Sequence, residues 1–468
     1  DDLLDTQISA LAGSIGACQR VSRWAAAIAL LEDVWQASNG GSPAALLAAL
    51  SAAIGACGKA SRWERSLLLL LEVSQKQQLV PNEVCYGATI SACSRASKPS
   101  MALSLLANMT EEKMKPNAVC YSATISACGK ARWWQRALGC VEEMRIKDVT
   151  LDVICCSNTM EACGQGFQWE MALAVLMSMP TVRLQPDTVC LNVMLSACER
   201  ASEWQAAIAL LQDSSDGATH LEADTISRNT VMAACAEAHE WQQSIALLCS
   251  AKSSRAFLDV VSYTTAITAC GRRGKWADAL RLLHEATAES VKLTDVCVGA
   301  AIAACEPNWP VALLLLEEWR APTEVMVNLA ITAAGRGMRW DIALELLLGM
   351  KHQRLEANLV TYNSTFSAMQ RGSAWQQAIA LLATAQKAAE CGLEVDTLTF
   401  GPILLACASA AQWAPALAVL EDMTIWKVVP DSLCYRSVLT AMQKCICKRE
   451  ALQLFEDMRN VHEYFDTE

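Results

Sequence analysis

Apolar residues recur along the chain at helical spacing, and the whole pattern returns about every 35 residues. In the phrase VCYGATISACSRA, Val84, Tyr86, Ile90 and Cys93 fall on one face of a helix. After the break SKPS, the phrase MALSLLANMTEEKMK again places its apolar residues on one face. A Pro-Asn or Pro-Asp pair then closes the unit, because proline cannot continue a helix. Each unit is therefore predicted to be helix A, a short turn, helix B and a closing turn.

The unit is copied thirteen times, which predicts an all-α fold built as an α-solenoid. Phrases such as YGATISACSRA and YSATISACGKA are near copies, and a period of this length is typical of helical solenoids. Helix A is predicted to begin near Ile8, Leu47, Glu83, Ala118, Val153, Thr188, Thr225, Val260, Asp295, Glu324, Leu359, Thr397 and Ser432. Such an array offers an extended binding surface rather than a catalytic pocket.

The repeats, rather than globular domains, organise the 468 residues. Residues 1–46 lack the closing Pro-Asp pair and end in SNGGSP, so they are predicted to form a degenerate N-terminal capping repeat. Residues 47–431 are predicted to form the tandem array. Residues 432–468 are predicted to form a C-terminal segment that resembles one more repeat.

Most of the 22 cysteines follow the repeat, which changes how they are interpreted. Ten occupy one slot per unit, at Cys18, Cys57, Cys93, Cys128, Cys163, Cys198, Cys235, Cys270, Cys305 and Cys407. Six occupy a second slot, at Cys85, Cys120, Cys155, Cys190, Cys297 and Cys434. A cysteine that recurs beside alanine is typical of a small buried residue, and copies facing the same way cannot gather four ligands around a metal. No metal site is predicted, and the free thiols favour a reducing compartment.

A tryptophan usually marks the turn between helix A and helix B. It stands at Trp24, Trp63, Trp134, Trp169, Trp204, Trp241, Trp276, Trp309, Trp340, Trp375 and Trp413. Exposed aromatic residues could stack on nucleic-acid bases. The position directly before helix B instead favours a role in packing helix A on helix B.

The net charge of −11 argues against nucleic-acid binding unless the basic residues gather on one surface. The slot two residues after the recurring cysteine holds Lys or Arg in nine of thirteen units, whereas about one would be expected by chance. Candidate phosphate contacts in this slot are Lys59, Arg95, Lys130, Arg200, Arg272, Arg336, Arg371 and Lys444. The acids gather in helix B and the following loop. A positive stripe along helix A is therefore predicted; the alternative is that these cations stabilise the C-terminal end of helix A.

No apolar run approaches the roughly 18 residues that a membrane-spanning helix needs, so no membrane partner is predicted. The beginning, DDLLDTQ, has neither the apolar run of a signal peptide nor the Arg- and Ser-rich character of a transit peptide. It starts in the middle of the pattern. We therefore expect a mature form or a fragment that does not contain its targeting peptide.

The unit resembles the pentatricopeptide repeat over nearly the whole chain. The shared marks are the 35-residue period, the V-x-Y-[NST]-x-x-I opening, the A-L-x-L-L-x-x-M second helix and the Pro-Asp or Pro-Asn ending. The tetratricopeptide repeat is the runner-up, but its period is 34 residues and it lacks that ending. The ISACGKA wording is similar to algal members with P-type arrays. The resemblance implies a right-handed superhelix and a monomer that binds single-stranded RNA, about one base per repeat, with its N-terminus toward the 5′ end.

The resemblance also implies which slots contact RNA. Two side chains per unit read the base, one directly after the tyrosine slot of helix A and one after the closing proline slot. The base-reading pairs are Ser51 with Asn82, Gly87 with Asn117, Ser122 with Asp152, Ser157 with Asp187, Asn192 with Asp224, Asn229 with Asp259, Thr264 with Thr294, Asn328 with Asn358, Asn363 with Asp396, and Gly401 with Asp431. A third slot, two residues before the tyrosine slot, sandwiches the base and holds Val84, Val119, Ile154, Val189, Ile226, Val261, Val296, Val325, Val360, Leu398 and Leu433.

By the family's code, the pair of the second repeat matches adenine, those of the fourth and fifth match guanine, those of the sixth, seventh and eleventh match uracil, and that of the tenth matches cytosine. The departures from the code are Gly87 and Gly401, which leave only the second reader, Thr264 with Thr294, Gly299 with Thr323, and Arg436. The implied target from the second repeat onward is A-a-G-G-U-U-?-?-C-U-g-?, with lower case for the weaker assignments. Ser, Asn and Asp are also common at helix starts and turns, so capping is the alternative interpretation of these slots.

Three classes of function fit such a solenoid. The favoured one is a sequence-selective RNA-binding protein without catalysis that acts in the stabilisation, processing or translation of organelle transcripts, with the chloroplast favoured over the mitochondrion. The alternatives are the guide portion of a larger nuclease or editing enzyme, in which protein partners or further segments supply catalysis, and a protein–protein scaffold. No catalytic residue or cofactor is predicted: the five histidines are scattered, and the His-x-Glu with Cys-x-x-Cys set of a deaminase is missing.

Overall fold

The structure is a computed structural model that describes residues 11, 13–18, 20–21, 23–37, 43–76, 81–112, 114–215, 223–253, 258–289, 291–353, 355–389, 396–426 and 428–445. Every regular element in this part of the chain is a helix. The predicted all-α class is therefore confirmed. None of the described helices is long and apolar enough to cross a membrane.

The chain divides into two compact units, residues 1–238 and 239–468. The helices of the first unit are α1 (Trp24–Ala37), α2 (Pro43–Lys59), α3 (Trp63–Lys76), α4 (Glu83–Arg95), α5 (Pro99–Glu111), α6 (Ala118–Lys130), α7 (Trp134–Ile146), α8 (Val153–Gln165), α9 (Trp169–Ser178), α10 (Thr188–Ala201), α11 (Trp204–Ser215) and α12 (Thr225–Glu237), with a 3₁₀ turn at Pro180–Val182 after α9. Those of the second unit are α13 (Trp241–Ser253), α14 (Val260–Arg272), α15 (Trp276–Ala288), α16 (Asp295–Ala304), α17 (Trp309–Glu318), α18 (Glu324–Arg336), α19 (Trp340–His352), α20 (Leu359–Arg371), α21 (Trp375–Ala389), α22 (Thr397–Ser409), α23 (Trp413–Ile425) and α24 (Ser432–Lys444). Even numbers are helix A of repeats 2–13, and odd numbers are helix B of repeats 1–12.

The predicted starts of helix A agree with the structure from the third repeat onward. In the second repeat, α2 begins at Pro43 instead of Leu47, because proline is well tolerated in the first turn of a helix. The predicted boundary between residues 46 and 47 therefore falls inside α2. The helix predicted from Ile8 is described only in part, and the segment 446–468 lies outside the described residues.

Local side-chain chemistry marks both ends of helix A. An Asn or Asp usually precedes the helix, and its Oδ1 accepts a hydrogen bond from the backbone N–H three residues later, as Asn117 does from Cys120 at 3.0 Å. This bond satisfies a donor that the helix itself leaves unpaired. The turn after helix A contains a residue with left-handed backbone, for example Ser61 with φ of 57° and Gly274 with φ of 67°. The chain can therefore end helix A and begin helix B within a few residues.

Within each unit the helices pack by one recurring scheme. Each helix A contacts the helix B of its own repeat and the helix A of the next repeat, and each helix B contacts the helix A of the next repeat. Fully buried side chains such as Tyr121 and Ile125 in the first unit and Tyr263 and Ile267 in the second fill the space between them. Burying one such side chain stabilises the fold by about 1.5–3 kcal/mol. Every repeat therefore depends on its neighbours, as in other α-solenoids.

Small residues let consecutive A helices approach closely at their C-terminal ends. In the first unit, a Cβ added to Gly129 would lie 3.2 Å from the Cβ of Ala162. In the second unit, a Cβ added to Gly335 would lie 2.7 Å from the Cβ of Ala368. The glycine comes directly after the recurring cysteine slot, and the alanine comes directly before it in the next repeat. The phrase ACGK therefore encodes a helix-to-helix contact that the periodicity of one unit did not reveal.

The tryptophan that begins helix B contacts the following repeat, a role that the pattern of one unit did not predict. The ring of Trp134 lies against Gly166 in the A–B turn of the next repeat, where no larger residue would fit. A basic side chain of the next repeat covers some of these rings, as Arg62 does at 5.6 Å from the centre of the Trp24 ring. Within each unit these tryptophans therefore link consecutive repeats.

Most of the recurring cysteines are buried, as the sequence predicts for packing residues. Among the described cysteines, Cys249 is exposed, Cys18 and Cys445 are half-buried, and the other 17 are buried. Burial raises the pKa of the Cys93 and Cys163 thiols to about 11. Within the described residues, no group of three or more His, Cys, Asp or Glu is arranged to hold a metal ion.

We expect a thiol reagent at pH 8 to label Cys249 of the folded protein well before Cys93 and Cys163. The thiolate is the reactive form, and a buried thiol with a raised pKa is both protonated and shielded. Mass spectrometry after a short exposure to iodoacetamide measures the order of labelling, and the denatured protein provides the control in which all 22 thiols react. Early labelling of Cys93 or Cys163 would contradict their buried position.

Candidate nucleic-acid interface

Each helix A from the third repeat onward exposes one aliphatic side chain near its start. The eleven predicted base-sandwiching residues are all exposed, from 37% for Leu433 to 71% for Val296. By contrast, Tyr121 is fully buried although it lies only two residues after the exposed Val119. Aliphatic side chains left in water at the same place in every repeat add nothing to the core and mark a contact surface. We call these eleven residues the aliphatic row.

The aliphatic row is part of a continuous stripe along helix A. In α6, Ser122, Ser126 and Lys130 follow Val119 by three, seven and eleven residues, so the four side chains share one face of the helix. The predicted base-reading residue Ser122 is half-buried in this stripe, and Lys130 is exposed at its end. The stripe combines an apolar, a hydrogen-bonding and a basic position. These are the contacts that a single-stranded nucleic acid requires.

The second base-reading residue begins the following helix A and caps its backbone. Side-chain capping bonds of this kind are made by Asn82, Asn117, Asp152, Asp187, Asp224, Asp259, Asn358, Asp396 and Asp431. The capping interpretation is therefore correct for this slot. Capping uses one terminal atom of the side chain, so it restricts the orientation of the other without excluding a second partner.

In the sixth repeat the two predicted base-reading residues contact each other. The Nδ2 of Asn192 donates to the Oδ2 of Asp224 at 3.4 Å, and the hydroxyl of Ser227 donates to the Oδ1 of Asn192 at 2.6 Å. Burial raises the pKa of Asp224, but hydrogen bonds from the backbone and side chain of Ser227 and from Asn192 outweigh it and lower that pKa below its usual value. The site therefore presents an amide donor beside an anionic carboxylate before any ligand binds.

Most hydroxyl-bearing base-reading residues donate to their own helix. Ser51, Ser157 and Thr264 donate to backbone carbonyls three or four residues earlier, at 2.9, 2.5 and 2.7 Å. Ser122 differs, because its hydroxyl accepts a hydrogen bond from the Nδ2 of Asn158 at 3.2 Å and donates to no group within the described residues. Asn158 lies in the following repeat and was missed by the sequence reasoning, which considered two polar slots per repeat.

A groove in the second unit brings all three predicted slots together. It has a volume of about 590 Å³ and runs along the A helices of repeats 10–13. Its walls include Val360 and Leu398 of the aliphatic row, the base-reading residues Asn363 and Asp431, and the basic residue Arg371. Residues that are far apart in the sequence therefore form one continuous surface.

The eight candidate phosphate contacts are exposed, and some of them also have partners within the protein. The Nζ of Lys130 donates to the carbonyl of Ser94 at 3.0 Å, at the C-terminal end of the preceding helix A, and Lys444 makes the equivalent bond at 2.8 Å. Arg336 forms an ion pair with Glu306 at 2.8 Å. The interaction of cations with helix C-termini therefore occurs for these two lysines. A lysine has three donor hydrogens, so such a bond leaves capacity for a phosphate.

The slots that depart from the code in sequence also differ in structure. Gly299 is buried, and Arg436 is exposed. Thr294 precedes α16 without a side-chain capping bond, whereas Thr323 caps α18. Asn229, which does fit the code, is half-buried in the first unit.

Models of one repeat family match several parts of the chain. A PPR repeat family model matches residues 81–130, a pentatricopeptide repeat domain model matches 140–200, and a PPR repeat model matches 119–149 and 261–290. The chain carries pentatricopeptide repeats. The predicted family is therefore confirmed, and no curated protein sequence matches the chain significantly.

Solved structures of pentatricopeptide repeat proteins share the fold. The crystal structure of PPR10 from maize is similar to this chain with a TM-score of 0.65 at 19% identity, over 97% of this chain and 68% of that one. PPR10 in complex with an 18-nt psaJ RNA element matches with a TM-score of 0.52 at 18% identity, over 97% of this chain and 73% of that one. At this level of identity the likeness confirms the α-solenoid fold alone.

Proposed function

We propose that this pentatricopeptide repeat protein binds single-stranded RNA with sequence selectivity, about one base per repeat. The observation that carries the proposal is the aliphatic row, exposed in eleven consecutive repeats. A base inserted between two neighbouring members would cover apolar surface that the free protein leaves in water, which contributes about 25 cal/mol for each Å² removed from water. The maize protein of similar fold was crystallised with an RNA element, which supports this class of ligand.

The polar slots would supply selectivity. In the sixth repeat, the amide hydrogen of Asn192 and the carboxylate of Asp224 fit a carbonyl oxygen and the N3–H of uracil. The proposed target, read 5′ to 3′ from the second repeat, is A-a-G-G-U-U-?-?-C-U-g-?. The exposed Lys and Arg of the stripe would contact phosphates and make binding dependent on salt.

We place the proposed role in organelle RNA metabolism, in the chloroplast rather than the mitochondrion, with the protein acting as a monomer. An array bound to a transcript would block exonucleases or prevent a hairpin from forming. The proposal assigns no catalysis to this chain, so cleavage or editing of the transcript would come from a partner or another segment.

Binding to a randomised single-stranded RNA pool, followed by sequencing of the bound fraction, tests the proposed function. We expect enrichment of sequences that contain GGUU at their centre. Enrichment of an unrelated motif would contradict the assigned code. Failure to retain any RNA at low salt would contradict RNA binding and favour a protein–protein scaffold.

We expect the substitution Asn192→Ser to move the preference at the fifth target nucleotide from uracil toward guanine. Serine at this slot repeats the pairing of Ser157 with Asp187, and such pairs are worth about 1–3 kcal/mol of discrimination, or roughly tenfold or more in affinity. Fluorescence anisotropy with RNAs that differ only at this nucleotide measures the change. The fourth nucleotide provides the internal control, because its readers are unchanged. An equal loss for all four bases would show that Asn192 only packs.

A further inference from the structure

The third residue of helix A varies with the base-reading residue of the preceding repeat. We call the base-reading residue within helix A the reader. All four Asn readers are followed, at the third residue of the next helix A, by a residue with a hydroxyl group: Asn192 by Ser227, Asn229 by Ser262, Asn328 by Thr361 and Asn363 by Thr399. The seven Ser, Thr or Gly readers are followed by Cys or Met, at Cys85, Cys120, Cys155, Cys190, Cys297, Met326 and Cys434. The two slots therefore vary together from repeat to repeat.

The structure of the sixth repeat gives the physical link. Ser227 is fully buried at the start of α12, and its hydroxyl lies 2.6 Å from the Oδ1 of Asn192 and 2.8 Å from the Oδ1 of the capping residue Asp224. An Asn reader ends in one acceptor and one donor atom, and either can point outward. The single hydroxyl hydrogen of Ser227 has both acceptors in reach. When it is donated to the Oδ1 of Asn192, the shorter contact, the Nδ2 of Asn192 faces the carboxylate of Asp224.

Cysteine at the same position has a different effect. The Sγ of Cys190 lies 3.8 Å from the hydroxyl of Ser157, which donates to the carbonyl of Val153 at 2.5 Å. A thiol is a weak donor and a weak acceptor. It therefore fills space beside a serine reader without competing for its hydrogen bonds, whereas beside an Asn reader it would leave the amide oxygen without a strong donor.

In the second unit the hydroxyl of the third residue bonds to the capping residue instead of the reader, and the reader is left with an unpaired acceptor. There Thr361 and Thr399 donate to the capping residues Asn358 and Asp396, at 3.0 and 2.9 Å. The Oδ1 atoms of the readers Asn328 and Asn363 are then buried with no hydrogen-bond partner. An unpaired buried acceptor costs about 1–3 kcal/mol. The same hydroxyl can thus bond to the cap or to the reader, and the reader is the group that lacks an alternative donor.

We propose that the third residue of helix A is a positioning residue for base reading by the preceding repeat. Ser or Thr fixes an Asn reader with its N–H₂ directed at the ligand, which selects a pyrimidine through its carbonyl oxygens, and Cys supports a hydroxyl reader. Each base would then be selected by three side chains instead of two. This inference rests on the proposed RNA-binding function.

The substitution Ser227→Cys tests the inference, because cysteine occupies this slot in six other repeats and should preserve the fold. We expect the affinity ratio between RNAs with uracil and with adenine at the fifth target nucleotide to fall roughly five- to tenfold, the value of one lost hydrogen bond. Ser227→Ala should have the same effect. Ser227→Thr keeps the hydroxyl and should therefore keep the wild-type affinity ratio. Thr230→Ala is the matched control, since it removes a hydroxyl from the same helix that bonds to the backbone of Ile226 at 2.9 Å.

Fluorescence anisotropy with four RNAs that differ at this nucleotide gives the ratio, and thermal denaturation checks the fold. If Ser227→Cys and Ser227→Ala both show the same affinity ratio as the wild-type protein, the inference is overturned and the proposed function is left intact. An equal loss of affinity for all four RNAs would also overturn it, because a purely structural role predicts that result. A wild-type protein without any base preference would overturn the proposed function itself.

Discussion

Replacing Val84, Val119, Ile154 and Val189 together by alanine should weaken RNA binding about a thousandfold while leaving the fold intact. Each substitution removes apolar surface that would cover a base, worth about 1 kcal/mol when the methyl groups are partly buried, and about 4 kcal/mol is a factor of a thousand in Kd. The four side chains are 55–64% exposed in the free protein, so little core packing is lost. Alanine also favours the helix.

The aliphatic row offers a clear control for this experiment. Leu68, Leu71, Ile146 and Met177 are also exposed in the first unit, but they lie on helix B. Their combined replacement by alanine removes a comparable amount of apolar surface from the other side of the repeats. Anisotropy with the target RNA should show little change for this variant, and circular dichroism should show equal helix content for both. Equal loss of RNA binding in the two variants would contradict the assignment of the interface to helix A.

The substitution Gly335→Val should lower the free energy of unfolding of the second unit by about 3 kcal/mol, because overpacking a tight contact costs up to that amount. The Cβ of any residue at this position would lie 2.7 Å from the Cβ and 2.9 Å from the Cα of Ala368. Consecutive helices α18 and α20 would have to separate. Thermal unfolding should show the loss, and hydrogen exchange should place it in these two helices.

A second glycine provides the control for Gly335→Val. A Cβ added to Gly139, in α7, would meet no atom within 4 Å. Gly139→Ala should therefore stabilise the first unit by about 0.5–1 kcal/mol, because alanine loses less backbone entropy in a helix. A neutral Gly335→Val variant would show that the A helices can move apart without cost.

The starts of helix A could be predicted from the sequence because their causes are local. A closing proline, a capping Asn or Asp and a helical apolar pattern all lie within a few residues of one another. The prediction is wrong at α2, because the phrase SNGGSP resembles the end of a repeat although its Pro43 begins the helix. The aliphatic row was also predictable, since its exposure follows from its helical phase relative to the buried tyrosine slot.

Contacts between repeats could not be predicted from the pattern of one repeat. The Gly129 contact with Ala162, the Trp134 contact with Gly166 and the Asn158 contact with Ser122 each join residues more than thirty positions apart. The link between Ser227 and Asn192 left a trace in the sequence, the alternation of hydroxyl and cysteine at the third residue of helix A. Within one repeat that slot is indistinguishable from a packing position, so only a comparison with the preceding repeat reveals the link.

The contact between Asn192 and Asp224, with Ser227 behind it, has a consequence for how recognition could be transplanted between arrays. One complete site runs from the fifth residue of a helix A to the third residue of the next, over residues 192–227 here. If repeats from two parent proteins were joined at the closing proline, each junction would combine the reader of one parent with the cap and the supporting hydroxyl of the other. Recombination within the turn that joins helix A to helix B would keep each cap and its supporting hydroxyl together, but would detach them from the reader. The exchangeable cassette is therefore about one repeat long and is shifted by a few residues into helix A.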